Sequence, residues 1–103
     1  MAARRRRVVW TQRAIDAVDG IAEYVATDSP VQAARLVDAF VDAAATLDTL
    51  PDRGRPVPEV AKPNIREIFV YDFRLMYRVL TEQVDVLTVV HGAQNLRPRQ
   101  LDR

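Results

Sequence analysis

Cysteine is absent from this sequence, and histidine occurs once, at His91. Disulfides and cysteine-based zinc sites within the chain are thereby excluded, and a histidine-rich metal site is disfavoured. No apolar run approaches the ~20 residues that span a bilayer. The basic run Arg4–Arg7 is followed only by the apolar stretch Val8–Trp10, which is too short for the core of a signal peptide. We therefore expect a cytoplasmic protein with no metal, no cofactor and no membrane association.

Charge is distributed unevenly, although the net charge is only +1. Residues 1–7 hold four arginines, and residues 8–50 hold two basic and seven acidic residues. We interpret residues 1–7 as a flexible basic tip, which either binds nucleic acid or only keeps the chain in solution. The acidic stretch indicates either a partner on one side or ordinary solvated helix surfaces. The length of 103 residues fits one domain over 8–95, with a tail over 96–103.

Two amphipathic helices are predicted in the first half of the chain. Thr11 offers an N-cap for the first helix, in which apolar residues recur at helical spacing over Ile15–Val25. A Ser-Pro-x-Gln capping box over Ser29–Gln32 begins the second helix, which is rich in alanine and ends near Leu50. Because about three residues join the helices, they must be antiparallel neighbours.

Three strands are predicted in the second half, where the hydrophobic period changes from that of a helix to that of a strand. The loop Pro51–Pro58, rich in proline, should hold no regular structure. The strands are Ile65–Val70, Phe73–Leu80 and Val84–Val90, and their short connections imply consecutive antiparallel hairpins. With Val8–Trp10 as an edge strand, the prediction is an α+β fold, in which a helical hairpin packs on one face of a small, mainly antiparallel β-sheet.

The middle strand predicts which face of the sheet the helices cover. The uniformly apolar set should face them, and comprises Phe73, Leu75, Tyr77 and Val79. The opposite set should lie on an uncovered face that binds protein or RNA, and comprises Arg74, Met76, Arg78 and Leu80. The aromatic residues predicted to be in the core are Tyr24, Phe40, Phe69 and Tyr77.

Several short motifs resemble the RelE/ParE toxin superfamily in their order and spacing over residues 8–95. They are Trp10-Thr11, Ile21–Ala26, Ser29-Pro30, Leu50–Glu59, Ile65–Ile68, Phe73–Val79 and Val89–Ala93. The resemblance implies a toxin of a type II toxin–antitoxin system, which inhibits growth when it is free. It also implies a cognate antitoxin, encoded in the adjacent gene, that silences the toxin in a hetero-oligomer.

The superfamily has two main modes of action, and this resemblance bears on both. RelE-like members cut mRNA on the ribosome, and the arginine that matches Arg74 binds the scissile phosphate in such relatives. If this chain cleaves RNA, the catalytic residues would be Arg74 and His91, the latter as proton carrier. Alternatively, Arg74 pairs with an acidic antitoxin, with Asp72 or with Glu67, and His91 only closes the last strand by hydrogen bonding.

ParE-like members poison DNA gyrase and lack that catalytic set. Many members of the superfamily have a second arginine where this chain has Gln94, and no tyrosine follows Tyr77 here. Unless Arg97 or Arg99 substitutes, these departures favour a ParE-like, non-enzymatic gyrase poison. The alternatives are a RelE-like ribosome-dependent mRNA endonuclease and a degenerate, non-toxic protein that only binds its antitoxin. The residues predicted to bind antitoxin or target are Arg66, Arg74, Met76, Arg78, Gln94 and Arg97.

Overall fold

A helical hairpin lies on one face of a five-stranded sheet in the computed structural model, which describes residues 5–93. The first strand is β1, Arg7–Trp10, and two helices follow it, α1 over Gln12–Ala26 and α2 over Pro30–Ala45. Two 3-10 turns, Thr46–Asp48 and Pro51–Arg53, lead to the rest of the sheet. Its strands are β2 (Arg55–Pro56), β3 (Ile65–Val70), β4 (Phe73–Val79) and β5 (Gln83–His91). The predicted α+β class is confirmed.

Both helices begin after the predicted capping residues. The side chains of Thr11 and Ser29 each accept a hydrogen bond from the amide three residues further on, at 3.2 and 3.1 Å. Each oxygen satisfies an amide that the first helical turn leaves without a partner. The second helix ends at Ala45, earlier than predicted, because the chain then tightens into the first 3-10 turn.

The strands lie in the order β1-β5-β4-β3-β2, and β1 runs parallel to β5 while the other neighbours are antiparallel. The consecutive hairpins are confirmed, with Phe73 opposite His91 and Arg74 opposite Val90. The edge position predicted for the first strand is also confirmed. The prolines of the loop do not prevent a second edge strand, because Pro56 in β2 lies where a missing amide is tolerated.

The main core lies between the helices and the sheet, as predicted. Phe40 of α2 and Leu47 of the first 3-10 turn are fully buried against Leu75 and Tyr77 of β4. The rings of Phe40 and Phe73 meet edge to face, with 5.5 Å between centroids, a favourable geometry for aromatic pairs. The alternation along β4 therefore assigned this face correctly.

Two aromatic residues that were predicted to be in the core lie on the surface. Tyr24 is 82% exposed on α1, and Phe69 is 54% exposed on β3. Phe69 lies opposite Arg74 across the strand pair, and so on the face of the sheet away from the helices. Their large apolar area had suggested burial, but residue type alone does not fix the direction of a side chain.

The sheet face opposite the helices is covered, which corrects the prediction that it is open. Residues 57–64, here called the covering loop, bury Val57 and Val60 against Met76 and Leu87 in a second apolar cluster. The amide of Val57 donates to the carbonyl of Ile65 at 3.3 Å, which holds the loop against the sheet. The prediction failed because the loop covers this face through contacts between residues that are distant in sequence.

The basic segment at the start of the chain is described in part. A hydrogen bond from Arg5 to Asp48, at 2.7 Å, lowers the pKa of that carboxyl. The Nε of Arg6 donates to the carbonyl of Leu80 at 2.9 Å, and Arg7 begins β1. Residues 1–4 and the predicted tail over 96–103 lie outside the described residues.

Candidate functional site

Arg74 is the most chemically distinctive residue of the predicted site, and it is buried, with 4% of its surface exposed. Its Nε donates to Oε1 of Glu67 at 2.7 Å. Its Nη1 and Nη2 donate to the two carboxylate oxygens of Glu59, at 2.9 and 2.7 Å. These hydrogen bonds, above all those to Glu59 and then the one to Glu67, outweigh the effect of burial and raise the pKa of Arg74. The guanidinium is therefore a permanent cation held by two carboxylates.

Glu67 joins Arg74 to a second arginine. Its side chain is fully buried, and its Oε2 accepts a hydrogen bond from Nε of Arg55 at 2.6 Å. Arg55 also lies over the ring of Phe69, 5.0 Å from the centroid, in a cation–π contact. We call Arg55, Glu59, Glu67 and Arg74 the buried ion cluster after its central pair, Glu67 and Arg74, although the Arg55 side chain is 55% exposed. Its two cations and two anions balance in charge.

The buried ion cluster ties the covering loop to the sheet. Glu59 belongs to the loop, whereas Glu67 and Arg74 belong to β3 and β4. A phosphate can contact Nη1 and Nη2 of Arg74 only if it displaces the Glu59 carboxylate, which binds both nitrogens in a bidentate way. The prediction that Arg74 pairs with Glu67 is therefore confirmed, whereas its predicted contacts with phosphate or antitoxin stay predictions.

Arg66 and Tyr77 hold the chain just before β2. The Nη1 of Arg66 donates to the carbonyl of Gly54 at 2.7 Å. The buried hydroxyl of Tyr77 donates to the carbonyl of Pro51 at 2.6 Å and accepts from the amide of Gly54 at 2.9 Å. Burial raises the pKa of Tyr77. A side chain at position 54 would meet the Tyr77 hydroxyl and the Glu67 carbonyl, both at 2.5 Å, so only glycine fits this close approach.

His91 lies at the end of β5, exposed, and is separated from Arg74 by the sheet. Its Nδ1 accepts a hydrogen bond from the amide of Ala93 at 3.3 Å, and its ring meets that of Phe73 with 5.7 Å between centroids. Because neighbouring residues of a strand point to opposite faces, Arg74 lies on the other side of the sheet from Phe73 and His91. The structure therefore does not bring the two predicted catalytic residues together.

His91 instead lines a groove of about 490 Å³ beside α1. The groove also includes Ile21, Tyr24 and Val25 of the helix and Phe73 of β4. Its walls are mostly apolar, with Asp16 as the other ionisable residue besides His91 and Tyr24. The groove offers contact area to a partner, but the arginines of the sheet do not line it.

The remaining residues of the predicted binding surface do not form one exposed stripe. Met76 is fully buried beneath the covering loop. Arg78 is half-buried on β4, opposite Asp85 of β5. Gln94 and Arg97 lie outside the described residues.

Glu59 is the residue that the sequence analysis missed, although it occupies both terminal nitrogens of Arg74. The signal that pointed to it was weak, namely one acidic residue between two valines in a loop rich in proline. Those valines, Val57 and Val60, are the ones that the structure buries.

Within residues 5–93, no group of three or more Asp, Glu or His side chains comes together in a way that could hold a metal ion. In the same part of the chain, no helix has the length and hydropathy needed to cross a bilayer. The buried side-chain polar atoms of these residues all have hydrogen-bond partners.

Comparison with known proteins identifies sequence relatives along almost the whole chain. A family model described as the ParE toxin of the type II toxin–antitoxin system parDE matches residues 8–96. The chain is 35% identical over 92 residues to the toxin-designated protein Y4kP of Sinorhizobium fredii, covering 87% of this chain and 92% of that protein. It is 32% identical over 89 residues to Toxin RelE2 of Caulobacter vibrioides, covering 85% and 97%.

Solved structures share the fold. A chain of the chromosomal ParDE toxin–antitoxin system from P. aeruginosa gives a TM-score of 0.71 at 22% identity, covering 86% of this chain and 98% of that one. A chain of the toxin–antitoxin complex RelBE2 from Mycobacterium tuberculosis gives a TM-score of 0.57 at 22% identity, covering 87% and 94%. At this identity the likeness establishes the architecture alone.

Proposed function

The chain belongs to the ParE family of toxins from type II toxin–antitoxin systems, and we propose that it acts as a non-enzymatic poison of DNA gyrase that a cognate antitoxin neutralises. The two solved structures described above come from toxin–antitoxin systems, which supports the antitoxin as partner. The observation that carries the choice of mechanism is the placement of Arg74 and His91 on opposite faces of the sheet.

RNA cleavage requires a phosphate-binding cation and a proton carrier at one reacting group. A proton carrier must lie within about 3 Å of the atom that it serves, directly or through one water. One scissile phosphate cannot meet this condition with Arg74 and His91, because the sheet lies between their side chains. Arg74 is moreover held by Glu59 and Glu67, so it offers no ready oxyanion site. These features support a toxin that acts by binding.

The relative named Toxin RelE2 keeps an mRNA endonuclease as the second candidate. In that case a residue other than Arg74 would have to supply the phosphate-binding cation, or the Glu59 carboxylate would have to move away from Arg74. A protein that only binds its antitoxin is the third candidate. The three candidates predict different products in the same pair of assays.

The experiment measures both activities of the purified chain. Incubation with DNA gyrase and supercoiled plasmid, stopped with detergent and protease, should give linear DNA in proportion to the toxin added. In a translating extract, primer extension should show no new 5′ ends in the message. An antitoxin added in equimolar amount should abolish the linear DNA.

Two variants separate the candidates. Ribosome-dependent cuts that disappear in His91→Gln, with the fold preserved by circular dichroism, would establish the endonuclease and refute the gyrase poison. The second variant, Arg74→Lys, keeps a positive charge but loses the guanidinium, and so tests whether any such cleavage needs that group. A folded chain that gives neither linear DNA nor message cuts, and does not slow growth, would instead identify the non-toxic binder.

A further inference from the structure

A pocket of about 290 Å³ lies between the helical hairpin and the turn that joins β3 to β4. We call it the Tyr71 pocket; it is lined by Val25, Gln32, Arg35, Leu36 and Tyr71. We propose that this pocket contacts the protein target of the toxin and takes an acidic side chain of that protein. The inference rests on the proposed function, in which the target is DNA gyrase.

Tyr71 has a backbone conformation that tyrosine rarely adopts. It is the first of the two residues that connect β3 to β4, and its φ of 52° lies in the left-handed region. Two-residue hairpin turns usually have glycine, asparagine or aspartate at such a position, because a larger side chain is crowded there. Since glycine would form the same turn without strain, the turn itself does not require a tyrosine.

The side chain of Tyr71 contributes little to the fold. It is 75% exposed, and its hydroxyl has no hydrogen-bond partner within residues 5–93. Burial of the ring therefore does not offset the strain of the backbone. Strained residues cluster at ligand clamps and active sites, and tyrosine is frequent among the residues that dominate protein interfaces. These properties support a contact between the Tyr71 ring and another protein.

The other residues of the Tyr71 pocket provide an apolar wall and one positive charge. Val25 of α1 and Leu36 of α2 are half-buried, whereas Gln32 and Arg35 of α2 are exposed. Arg35 forms no ion pair or hydrogen bond with any residue in the described part of the chain. Its planar guanidinium can bind a carboxylate through two parallel hydrogen bonds.

The charges around the pocket favour a protein over a nucleic acid as the occupant. Among the described residues, Arg35 is the one cation that lines the pocket. The exposed acids Asp28, Asp38 and Asp72 each lie within three positions of a lining residue, and they repel a chain of phosphates. A single carboxylate beside apolar side chains satisfies Arg35 and also contacts the Tyr71 ring. The occupant is therefore an acidic residue of the target with apolar neighbours.

Tyr71→Gly tests the pocket without endangering the fold, because glycine adopts the positive φ readily. The Tm of the variant should equal or exceed that of the original chain. With DNA gyrase and supercoiled plasmid, at least about tenfold more of the variant should be needed for the same amount of linear DNA. Its Kd for the antitoxin should not change. Leu50→Ala is the control, since Leu50 is an exposed apolar residue that does not line the pocket.

Arg35→Glu tests the charge of the proposed partner. It should weaken binding to immobilised DNA gyrase by about tenfold or more, because two carboxylates would then face each other. Arg35→Lys should retain part of the binding, since lysine keeps the charge but lacks the planar fork of donors. Arg13→Glu makes the same reversal on the exposed side of α1, at the end away from the pocket, and should leave gyrase binding unchanged.

Four outcomes would overturn the inference. A folded Tyr71→Gly chain that gives linear DNA at the original concentration would refute the contact and leave the proposed function standing. An equal loss of antitoxin binding in this variant would assign the pocket to the antitoxin. Self-association of the original chain that Tyr71→Gly abolishes would assign it to a second copy. Absence of linear DNA with the original chain would refute the gyrase poison, and this inference with it.

Discussion

Glu59 connects the covering loop to the sheet, so replacing it with glutamine tests what the buried ion cluster contributes to stability. Its two oxygens accept hydrogen bonds from Arg74 at 2.7 and 2.9 Å. Glutamine has the same size and keeps one acceptor oxygen, but it loses the negative charge and presents an NH2 group. That group faces the guanidinium donors, so one of the two contacts is lost.

The size of the effect follows from the burial of the two partners. Removing one partner of a buried ion pair costs about 3–5 kcal/mol. Here the loss is smaller, because Glu67 still balances Arg74 and the Glu59 side chain, 18% exposed, is reached by water. We expect Glu59→Gln to lower the free energy of unfolding by about 2 kcal/mol. For a domain of this length the Tm should fall by about 10 °C.

Urea unfolding, followed by the fluorescence of the single tryptophan, measures this loss. Glu23→Gln makes the same chemical change on the exposed side of α1 and should alter stability by no more than about 0.5 kcal/mol. If Glu59→Gln differs from that control by less than about 0.5 kcal/mol, the carboxylate does not hold the loop. The covering loop would then be held by its apolar and main-chain contacts instead.

Two further predictions concern the chain before β2. Gly54→Ala should lower the free energy of unfolding by about 1–3 kcal/mol, because the added Cβ would lie 2.5 Å from the Glu67 carbonyl and the Tyr77 hydroxyl. Gly20→Ala, with open space around it in α1, should raise the free energy of unfolding by about 0.5–1 kcal/mol. Equal effects of the two substitutions in urea unfolding would contradict the steric argument. Tyr77→Phe leaves the Pro51 carbonyl and the Gly54 amide without the hydroxyl and should cost about 1–3 kcal/mol at neutral pH. Because the pKa of Tyr77 is raised in the fold, the native state retains this proton when the unfolded chain has lost it, and stability falls as pH rises above about 10. Tyr77→Phe should lack that part of the loss of stability at alkaline pH. Identical profiles of unfolding free energy against pH for the variant and the original protein would contradict this prediction.

The elements were predictable from the sequence because their signals are local. Thr11 and the capping box at Ser29 act within one helical turn, and the structure places both caps as predicted. The strand Ile65–Val70 follows from its alternation and its β-branched residues, and its bounds were correct. The apolar set on β4 likewise identified the face that the helices cover.

The candidate site was less predictable because its contacts are distant in sequence. Glu59 meets Arg74 across fifteen positions, and Tyr77 meets Pro51 across twenty-six. No periodicity connects such pairs, so the sequence analysis predicted no contact of the covering loop with the sheet and placed Arg74 on an open face. The separation of Arg74 from His91 depends on strand register, since a shift by one residue would put both on the same face.

Arg74 illustrates that the position of a residue in a motif does not by itself fix the contacts of its side chain. The arginine lies on the strand where RNA-cleaving relatives place theirs, yet Glu59 takes up the two nitrogens that a phosphate would need. Removing that carboxylate would free the cation, but it would leave His91 on the other face, beside α1. RNA cleavage at Arg74 would thus require a second proton carrier on the side of the covering loop. Within that loop and the strand below it, the acids are Glu59 and Glu67, and both are already engaged with arginines.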